Sequence, residues 1–131
     1  MVKITKTDKE WKSLLSKDEY YITRQKGTEP PFSGKNFEIV NGGLFKCRCC
    51  GNELFNSSTK YDSYCGWPSF FEQISPEVIK TETDRSHGMV RIEIMCAKCD
   101  AHLGHLFDDG PEPTGKRYCV NSLSINYVEF E

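Results

Sequence analysis

Cysteines are the residues of this sequence best suited to carry chemistry. Seven are present, at positions 47, 49, 50, 65, 96, 99 and 119. Their number is odd and the first ten residues contain no apolar run, so we expect neither a disulfide framework nor a signal peptide. In a reducing compartment, clustered cysteines more often bind metal or perform redox chemistry.

Four of the cysteines form two Cys-x-x-Cys pairs with similar flanking residues. The pairs are Cys47 with Cys50 and Cys96 with Cys99. Gly51 follows the first pair and Asp100 the second, and both residue types tolerate the left-handed backbone of a tight turn. Two such turns can place four thiolates tetrahedrally around one zinc ion. Because no coordination position is left for water, the sequence predicts a structural zinc site.

Other uses of these cysteines are less consistent with the repeat. A Cys₂His₂ site built from Cys96, Cys99, His102 and His105 would leave the first pair unused. Buried free thiols, or a redox-active Cys-x-x-Cys, would not account for two pairs with matching flanks. Cys49 lies inside the first turn, and we interpret it as a bystander.

The cysteine most suited to nucleophilic attack is Cys119. It lies in the string RYCVNS, and on a strand its side chain shares a face with Arg117 and Asn121. A neighbouring guanidinium favours the thiolate, which is the reactive form of the side chain. Asn121 can hydrogen-bond a substrate or orient a partner. The alternative is that Cys119 is a small apolar core residue.

A second thiol and two histidines lie in segments that can complete such a site. Cys65 lies in the loop string YCGWPSF, where a thiol can move towards an oxidised partner. Trp67 in the same loop is either a core anchor or an apolar wall for a ligand. His102 and His105 would share a face on a helical turn or tight loop, and histidine donates protons near neutral pH.

The elements that position these residues are mostly strands. Residues 37–40 and 44–46, joined by Asn41-Gly42-Gly43, predict a hairpin, and residues 89–95 alternate like a strand with Val90, Ile92 and Ile94 on one face. The segment 117–130 is also β-like, whereas residues 69–80 could hold one helical turn. Thr7 with Glu10, and Ser16 with Glu19, resemble capping boxes, the first followed by the apolar residues Trp11, Leu14 and Leu15. We therefore expect a mainly antiparallel β domain with a small helical N-terminal segment.

Length and charge restrict the possible partners. The 131 residues fit a single domain, 1–131, and the net charge of −2 comes with scattered basic residues. No basic stripe indicates a nucleic-acid or membrane-surface partner. The cytoplasm is the expected location.

Five strings in this sequence together resemble the B-type methionine sulfoxide reductases. They are GTEPPFSG (27–34), CRCCGNELF (47–55), SYCGWPSF (63–70), CAKCDAHLGHLFDDGP (96–111) and RYCVNS (117–122). They occur in family order over most of the chain. The resemblance implies two packed antiparallel sheets with a structural zinc site, and reduction of the R epimer of methionine sulfoxide.

The resemblance also implies roles for individual residues. Cys119 resembles the nucleophile, Cys65 the resolving thiol and Trp67 the residue that receives the substrate methyl group. The polar residues around the sulfoxide correspond to His102, His105, Asp109, Arg117 and Asn121. The four spaced cysteines correspond to the zinc ligands.

The expected reaction follows from these roles. Cys119 attacks the sulfoxide sulfur, His102 or His105 supplies a proton, and the sulfenic acid condenses with Cys65 to a disulfide that thioredoxin reduces. The expected substrate is oxidised methionine in proteins, and the expected state is a monomer. Two rival hypotheses are a zinc-ribbon-like binding module without catalysis, and a zinc hydrolase or deaminase with an open metal site.

Overall fold

The structure is a computed structural model that describes residues 2–34, 37, 39 and 41–130. This part of the chain forms two short helices, α1 (Asp8–Leu14) and α2 (Lys17–Arg24), followed by strands and three single turns of 3₁₀ helix. The strands are β1 (Gly43–Cys47), β2 (Glu53–Asn56), β3 (Lys60–Tyr61), β4 (Ser69–Phe70), β5 (Ile79–Asp84), β6 (Arg91–Cys96), β7 (His102–Phe107), β8 (Arg117–Val120) and β9 (Ile125–Glu129). The 3₁₀ turns are Ser57–Thr59, Ser86–Gly88 and Ser122–Ser124.

Both predicted capping boxes are present at the starts of the helices. The Thr7 side chain accepts from the Glu10 amide at 3.2 Å while the Glu10 carboxylate accepts from the Thr7 amide at 3.0 Å. Ser16 and Glu19 repeat this exchange at the start of α2. The predicted apolar face of α1 is narrower than expected, because Trp11 is buried but Leu14 is 62% exposed.

The strands form two antiparallel sheets, which confirms the expected fold class. The small sheet has the order β2-β1-β9, and the large sheet has the order β3-β4-β8-β7-β6-β5. Phe45 of the small sheet meets Phe70 of the large sheet at a ring-centroid distance of 4.9 Å, and Phe55 stacks on Phe70 at 4.1 Å. All three rings are fully buried, and each contributes about 1.5–3 kcal/mol through burial. These aromatic contacts hold the sheets together.

The hairpin predicted from residues 37–46 is wrong in its pairing. Strand β1 forms as expected, but its two edges are hydrogen-bonded to β2 and β9. Both edges are therefore occupied by strands from elsewhere in the chain. Phe37 and Ile39 lie outside any strand, and the other two residues of the predicted first strand lie outside the described residues.

Two further local predictions are corrected in the large sheet. Residues 69–80 contain no helical turn: β4 occupies one end, β5 begins at Ile79, and turns connect them. The strand predicted over 89–95 begins at Arg91 and does not bury one alternating face, since Val90 is 67% exposed whereas Glu93 is buried. Glu93 is buried because it hydrogen-bonds a histidine of the neighbouring strand.

The C-terminal β segment divides between the two sheets. Strand β8 lies in the large sheet, the turn Ser122–Ser124 interrupts the chain, and β9 pairs with β1 in the small sheet. The residues after Cys119 therefore connect the large sheet to the small sheet. Among the described residues, no helix combines the length and the apolar character needed to cross a membrane.

Candidate active site

A cavity of about 240 Å³ opens over β7, β8 and the loop 63–68. The predicted site residues that line it are Cys65, Trp67, His105, Arg117, Cys119 and Asn121. His102 and Asp109 are not among its lining residues. The cavity therefore brings together six of the eight residues that the sequence placed at the reaction site.

The two candidate redox thiols face each other in this cavity. Cys119 lies on β8 opposite Ser69 of β4, and the loop that precedes β4 carries Cys65. The distance between the two sulfur atoms is 3.8 Å. A disulfide requires about 2.05 Å, so bond formation needs only a small displacement of the Cys65 loop. Neither sulfur belongs to the metal-binding group described below.

The two thiols differ in acidity, and the difference corrects an expectation. The pKa of Cys119 is raised to about 12, mainly by burial and also by the charge of Cys65 and the Cys119 hydrogen bond to Cys65. Arg117 lowers this pKa, as expected, but its effect is smaller than the sum of the others. Burial alone would also raise the pKa of Cys65, yet hydrogen bonds with Ser63, Ser69, the Trp67 backbone and Cys119 together outweigh it and lower that pKa. Cys65 is thus the more acidic thiol in the resting site.

Arg117 is held in place by a carboxylate and an aromatic ring. Its Nε and Nη2 atoms donate to the two carboxylate oxygens of Asp109 at 2.9 and 3.1 Å. The guanidinium lies 4.2 Å from the ring centroid of Phe107. Asp109 is therefore a partner of Arg117 rather than a residue of the cavity wall, and the charge of Arg117 is fixed beside Cys119.

Asn121 lines the cavity with its polar atoms already occupied. Its Oδ1 accepts from the backbone amide of Glu29 at 3.1 Å, and its Nδ2 donates to the carbonyl oxygen of Leu103 at 3.1 Å. The residue is buried. Of the two uses that the sequence suggested for Asn121, these contacts favour the orientation of neighbouring segments over direct binding of a substrate.

The two histidines share a face, but they do so on a strand and not on the helical turn or tight loop that the sequence suggested. Both lie on strand β7, where residues three apart normally face opposite sides. The pairing between β6 and β7 shifts by one residue, from Ile94 opposite Gly104 to Met95 opposite His102. This bulge turns His102 to the side of His105, and their ring centroids are 5.8 Å apart.

Each histidine bonds a different carboxylate. His105 Nε2 lies 2.8 Å from Asp84 Oδ2, and His102 Nδ1 lies 2.7 Å from Glu93 Oε2. His102 is only 3% exposed, and burial lowers its pKa despite the adjacent Glu93. His102 is therefore a buried neutral base, whereas His105 reaches the cavity.

The four predicted metal ligands form one compact group. The sulfur atoms of Cys47, Cys50, Cys96 and Cys99 all lie within 4.8 Å of one another. Cys47 and Cys99, and likewise Cys50 and Cys96, have sulfurs 3.6 Å apart. Tetrahedral zinc with bonds of about 2.3 Å requires sulfurs about 3.8 Å apart, so this donor set fits a structural metal ion. Cys49 lies outside the group, as expected for a bystander.

The backbone at both metal-binding turns has the predicted left-handed residues. Gly51 has φ of 77° and Asp100 has φ of 65°. The turns follow β1 of the small sheet and β6 of the large sheet. A metal ion bound there would therefore connect the two sheets.

Comparison with known proteins identifies the family. The SelR domain family matches residues 15–129 of the chain. A peptide methionine sulfoxide reductase MsrB of Acinetobacter baylyi is 59% identical over 125 residues, which cover 95% of this chain and 90% of the relative. The chain belongs to the B-type methionine sulfoxide reductases. It is thus an oxidoreductase whose reaction is the reduction of methionine sulfoxide.

Other comparisons agree on family and on fold. The MsrB of Hahella chejuensis is 55% identical to this reductase over 127 residues, 97% of the chain and 91% of the relative. The crystal structure of a Mis18 'Yippee-like' domain is 15% identical with a TM-score of 0.55, covering 69% of this chain and 98% of that one. At this identity the likeness concerns the fold alone.

The two rival hypotheses explain the observed thiols, cavity and four-cysteine group less well. A zinc-ribbon-like binding module would leave the facing thiols and the cavity without a role. A hydrolase or deaminase requires an open metal position, whereas the four sulfurs would fill the tetrahedral shell of a bound metal ion.

Glu29 is the most important residue of the site that sequence reasoning missed. Its carbonyl oxygen accepts from Trp67 Nε1 at 2.9 Å and its amide donates to Asn121. Its carboxylate accepts from Ser122 Oγ at 3.0 Å and from the amide of Leu123 at 3.1 Å. This residue is 4% exposed and fixes the position of Trp67 relative to β8. The only signal was its place in the string GTEPPFSG.

The other omissions lie on β5, β6 and β7. Asp84 bonds His105 and also accepts from the Ser86 amide, and hydrogen bonds from Ser86 and His105 hold the pKa of Asp84 well below its usual range. Arg91 lines the cavity beside Asp84. Gly104 is required because a Cβ atom there would lie 1.9 Å from the carbonyl oxygen of Cys119.

Proposed function

We propose that this reductase acts on the R epimer of methionine sulfoxide, with Cys119 as nucleophile and Cys65 as resolving thiol. The observation that carries the proposal is the 3.8 Å separation of these sulfurs in a cavity that also contains Trp67 and His105. An apolar wall, a proton source and two thiols are the groups that the reaction needs.

The reaction begins with attack of the Cys119 thiolate on the sulfoxide sulfur. A bond forms between Cys119 Sγ and the substrate sulfur as the sulfoxide oxygen takes up two protons and leaves as water. Attack of this water on Cys119 Sγ breaks the new sulfur–sulfur bond, expels methionine and releases one proton, which leaves Cys119 as a sulfenic acid. The Cys65 thiolate then attacks Cys119 Sγ, and the sulfenic oxygen departs with a proton as water. The resulting disulfide is reduced by thiol–disulfide exchange with an external dithiol.

His105 is the better candidate for the proton source. It lines the cavity, and Asp84 holds its Nε2 atom. His102 does not line the cavity, and its lowered pKa leaves it neutral. We therefore assign proton supply to His105 and a supporting position to His102.

Chirality at sulfur would be selected by the two sides of the cavity. With the methyl group against Trp67 and the oxygen towards His105, only one epimer directs sulfur at Cys119. We expect the R epimer to be consumed and the S epimer to remain when separated epimers are incubated with the protein and dithiothreitol. Consumption of both epimers at similar rates would contradict this arrangement.

Zinc is the metal we propose for the four-cysteine group. Four thiolates suit a soft or borderline cation, and a filled tetrahedral shell is typical of structural zinc. The cation would offset the repulsion of the thiolates and fix the two turns against each other.

The remaining expectations concern the setting of the reaction. We propose oxidised methionine in proteins as substrate, because the relatives carry the name peptide methionine sulfoxide reductase. We further propose thioredoxin as the reductant, a monomeric single domain over residues 1–131, and the cytoplasm as location, where reduced thiols persist. Gel filtration of the zinc-loaded protein tests the oligomeric state.

Replacing the resolving thiol separates the two halves of the cycle. In Cys65→Ser we expect one turnover per protein to persist, while thioredoxin-driven cycling falls about 100-fold because no disulfide can form. The same change removes the negative charge of the Cys65 thiolate, which raises the pKa of Cys119. The single-turnover rate, which should rise with pH as Cys119 ionises, should therefore shift towards lower pH.

The measurements are rapid-quench detection of methionine across a pH series and steady-state turnover with thioredoxin. Full cycling in Cys65→Ser would assign the resolving role to another thiol, with Cys49 the first to be tested. A pH profile that moves to higher pH would show that Cys65 does not oppose ionisation of Cys119.

A further inference from the structure

A second groove lies beside the reaction cavity and shares one of its walls. It has a volume of about 330 Å³, and Trp67 lines both the groove and the cavity. We call it the aromatic groove, defined by Phe32, Tyr64 and Trp67. Gly66 also lines it, so the groove lies along the loop that carries Cys65.

The two outer rings of the aromatic groove are unusually exposed. Phe32 is 78% exposed and Tyr64 is 82% exposed. Both residues also have left-handed backbones, with φ of 63° and 60°, a conformation that large side chains rarely adopt. Neither burial nor backbone preference explains aromatic residues at these two positions. Such an outlier beside a reaction site points to a binding role.

Phe32 is also attached to the thiol-bearing loop. Its amide donates to the carbonyl oxygen of Gly66 at 2.8 Å. Its ring lies so close to Gly66 that a Cβ atom there would be 3.0 Å from two ring carbons. The groove is therefore built between two segments held together by a hydrogen bond and ring contact.

We propose that the aromatic groove binds the residue next to the oxidised methionine in a polypeptide substrate, with a preference for apolar side chains. This inference rests on the proposed function. With the sulfoxide methyl against Trp67 in the cavity, the methionine side chain leads back to a Cα atom that is about 3.8 Å from the Cα atom of the adjoining residue. The groove on the same indole is within reach of that residue. Lys60 and Asp62, which also line the groove, carry opposite charges, so apolar character rather than charge would select the neighbour.

A polypeptide substrate fits the groove better than the reducing dithiol does. A reductant must reach the sulfur of Cys65 or Cys119, and both residues line the cavity but not the groove. The flanking residue of a substrate needs no contact with either sulfur.

The test compares substrates with and without neighbouring residues, using dithiothreitol as reductant. The substrates are N-acetylmethionine R-sulfoxide and two short blocked peptides in which leucine or glycine flanks the R-sulfoxide. We expect the wild-type kcat/KM to favour the leucine peptide over the glycine peptide by about fivefold, as a ring contact of this kind allows. Tyr64→Gly, which suits the left-handed backbone, should reduce this ratio to about one. Tyr64→Phe should preserve it.

Phe130→Ala is the matched control, because Phe130 is an exposed aromatic residue that lines neither the groove nor the cavity. It should keep the wild-type ratio. Equal ratios in the wild type and Tyr64→Gly would overturn the proposal. A defect of Tyr64→Gly that appears only with thioredoxin would also overturn it and assign the groove to the reductant. Wild-type protein inactive on all three R-sulfoxide substrates would instead refute the proposed function itself.

Discussion

Cys119→Ser is expected to abolish reduction of methionine R-sulfoxide, with a loss of about 10⁴-fold or more in kcat/KM. A hydroxyl is far less ionised than a thiol at neutral pH and cannot store the oxygen as a sulfenic acid. The substitution keeps the shape of a half-buried side chain, so we expect the free energy of unfolding to change by less than about 1 kcal/mol. Formation of methionine with dithiothreitol, together with thermal unfolding, measures both effects.

Cys65→Ser provides the contrast for this experiment. The cavity remains, and dithiothreitol can reduce the sulfenic acid directly, so Cys65→Ser should keep activity under the same conditions. A Cys119→Ser protein that still reduced the R epimer would remove Cys119 from the mechanism and leave Cys65, the more acidic thiol, as the alternative nucleophile.

The four-cysteine group was the part of the structure most accessible from the sequence. Each pair depends on a local Cys-x-x-Cys turn, and the left-handed residues Gly51 and Asp100 mark those turns within the same few positions. The capping boxes of α1 and α2 were equally predictable, because a helix start is decided within four residues. Local sequence patterns were therefore sufficient to predict both the four-cysteine group and the helical segment.

Contacts distant in sequence could not be predicted in this way. The hairpin of residues 37–46 was wrong because β9, about 80 residues further along, occupies an edge of β1. The burial of Glu93 follows from its bond to His102, and the position of His102 follows from a bulge that leaves no mark in the sequence. Glu29 likewise acts through partners more than 30 residues away.

The pKa of Cys119 also depends on contacts that are distant in sequence and therefore could not be predicted. The alternation of β8 correctly placed Arg117 on its face, and Arg117 does favour the thiolate. Burial and the facing Cys65 outweigh this effect, and both arise from the packing of β8 against β4 and its preceding loop. A strand pattern alone gives the neighbours of a thiol along the chain but not the cost of its burial.

Removal of the metal is expected to have the largest effect on stability. The four sulfurs join the end of β1 to the end of β6, and these strands belong to different sheets. A structural zinc site contributes about 10 kcal/mol or more, which is comparable to the whole stability of a domain this size. We therefore expect Cys96→Ser, which removes a fully buried ligand, to lower the Tm by more than about 15 °C. Differential scanning calorimetry and metal content measured on the same samples test this.

Cys49→Ser is the control for the metal prediction, because Cys49 lies in the same turn as Cys47 and Cys50 but outside the ligand group. It should bind one zinc ion and keep a Tm close to that of the wild type. Hydrogen exchange should show which strands are destabilised in Cys96→Ser. Without the cation, protection should be lost first at β1 and β2, because only packing contacts then hold the small sheet against the large one. Unchanged protection and Tm after complete zinc removal would mean that the aromatic packing of Phe45, Phe55 and Phe70 holds the sheets together unaided.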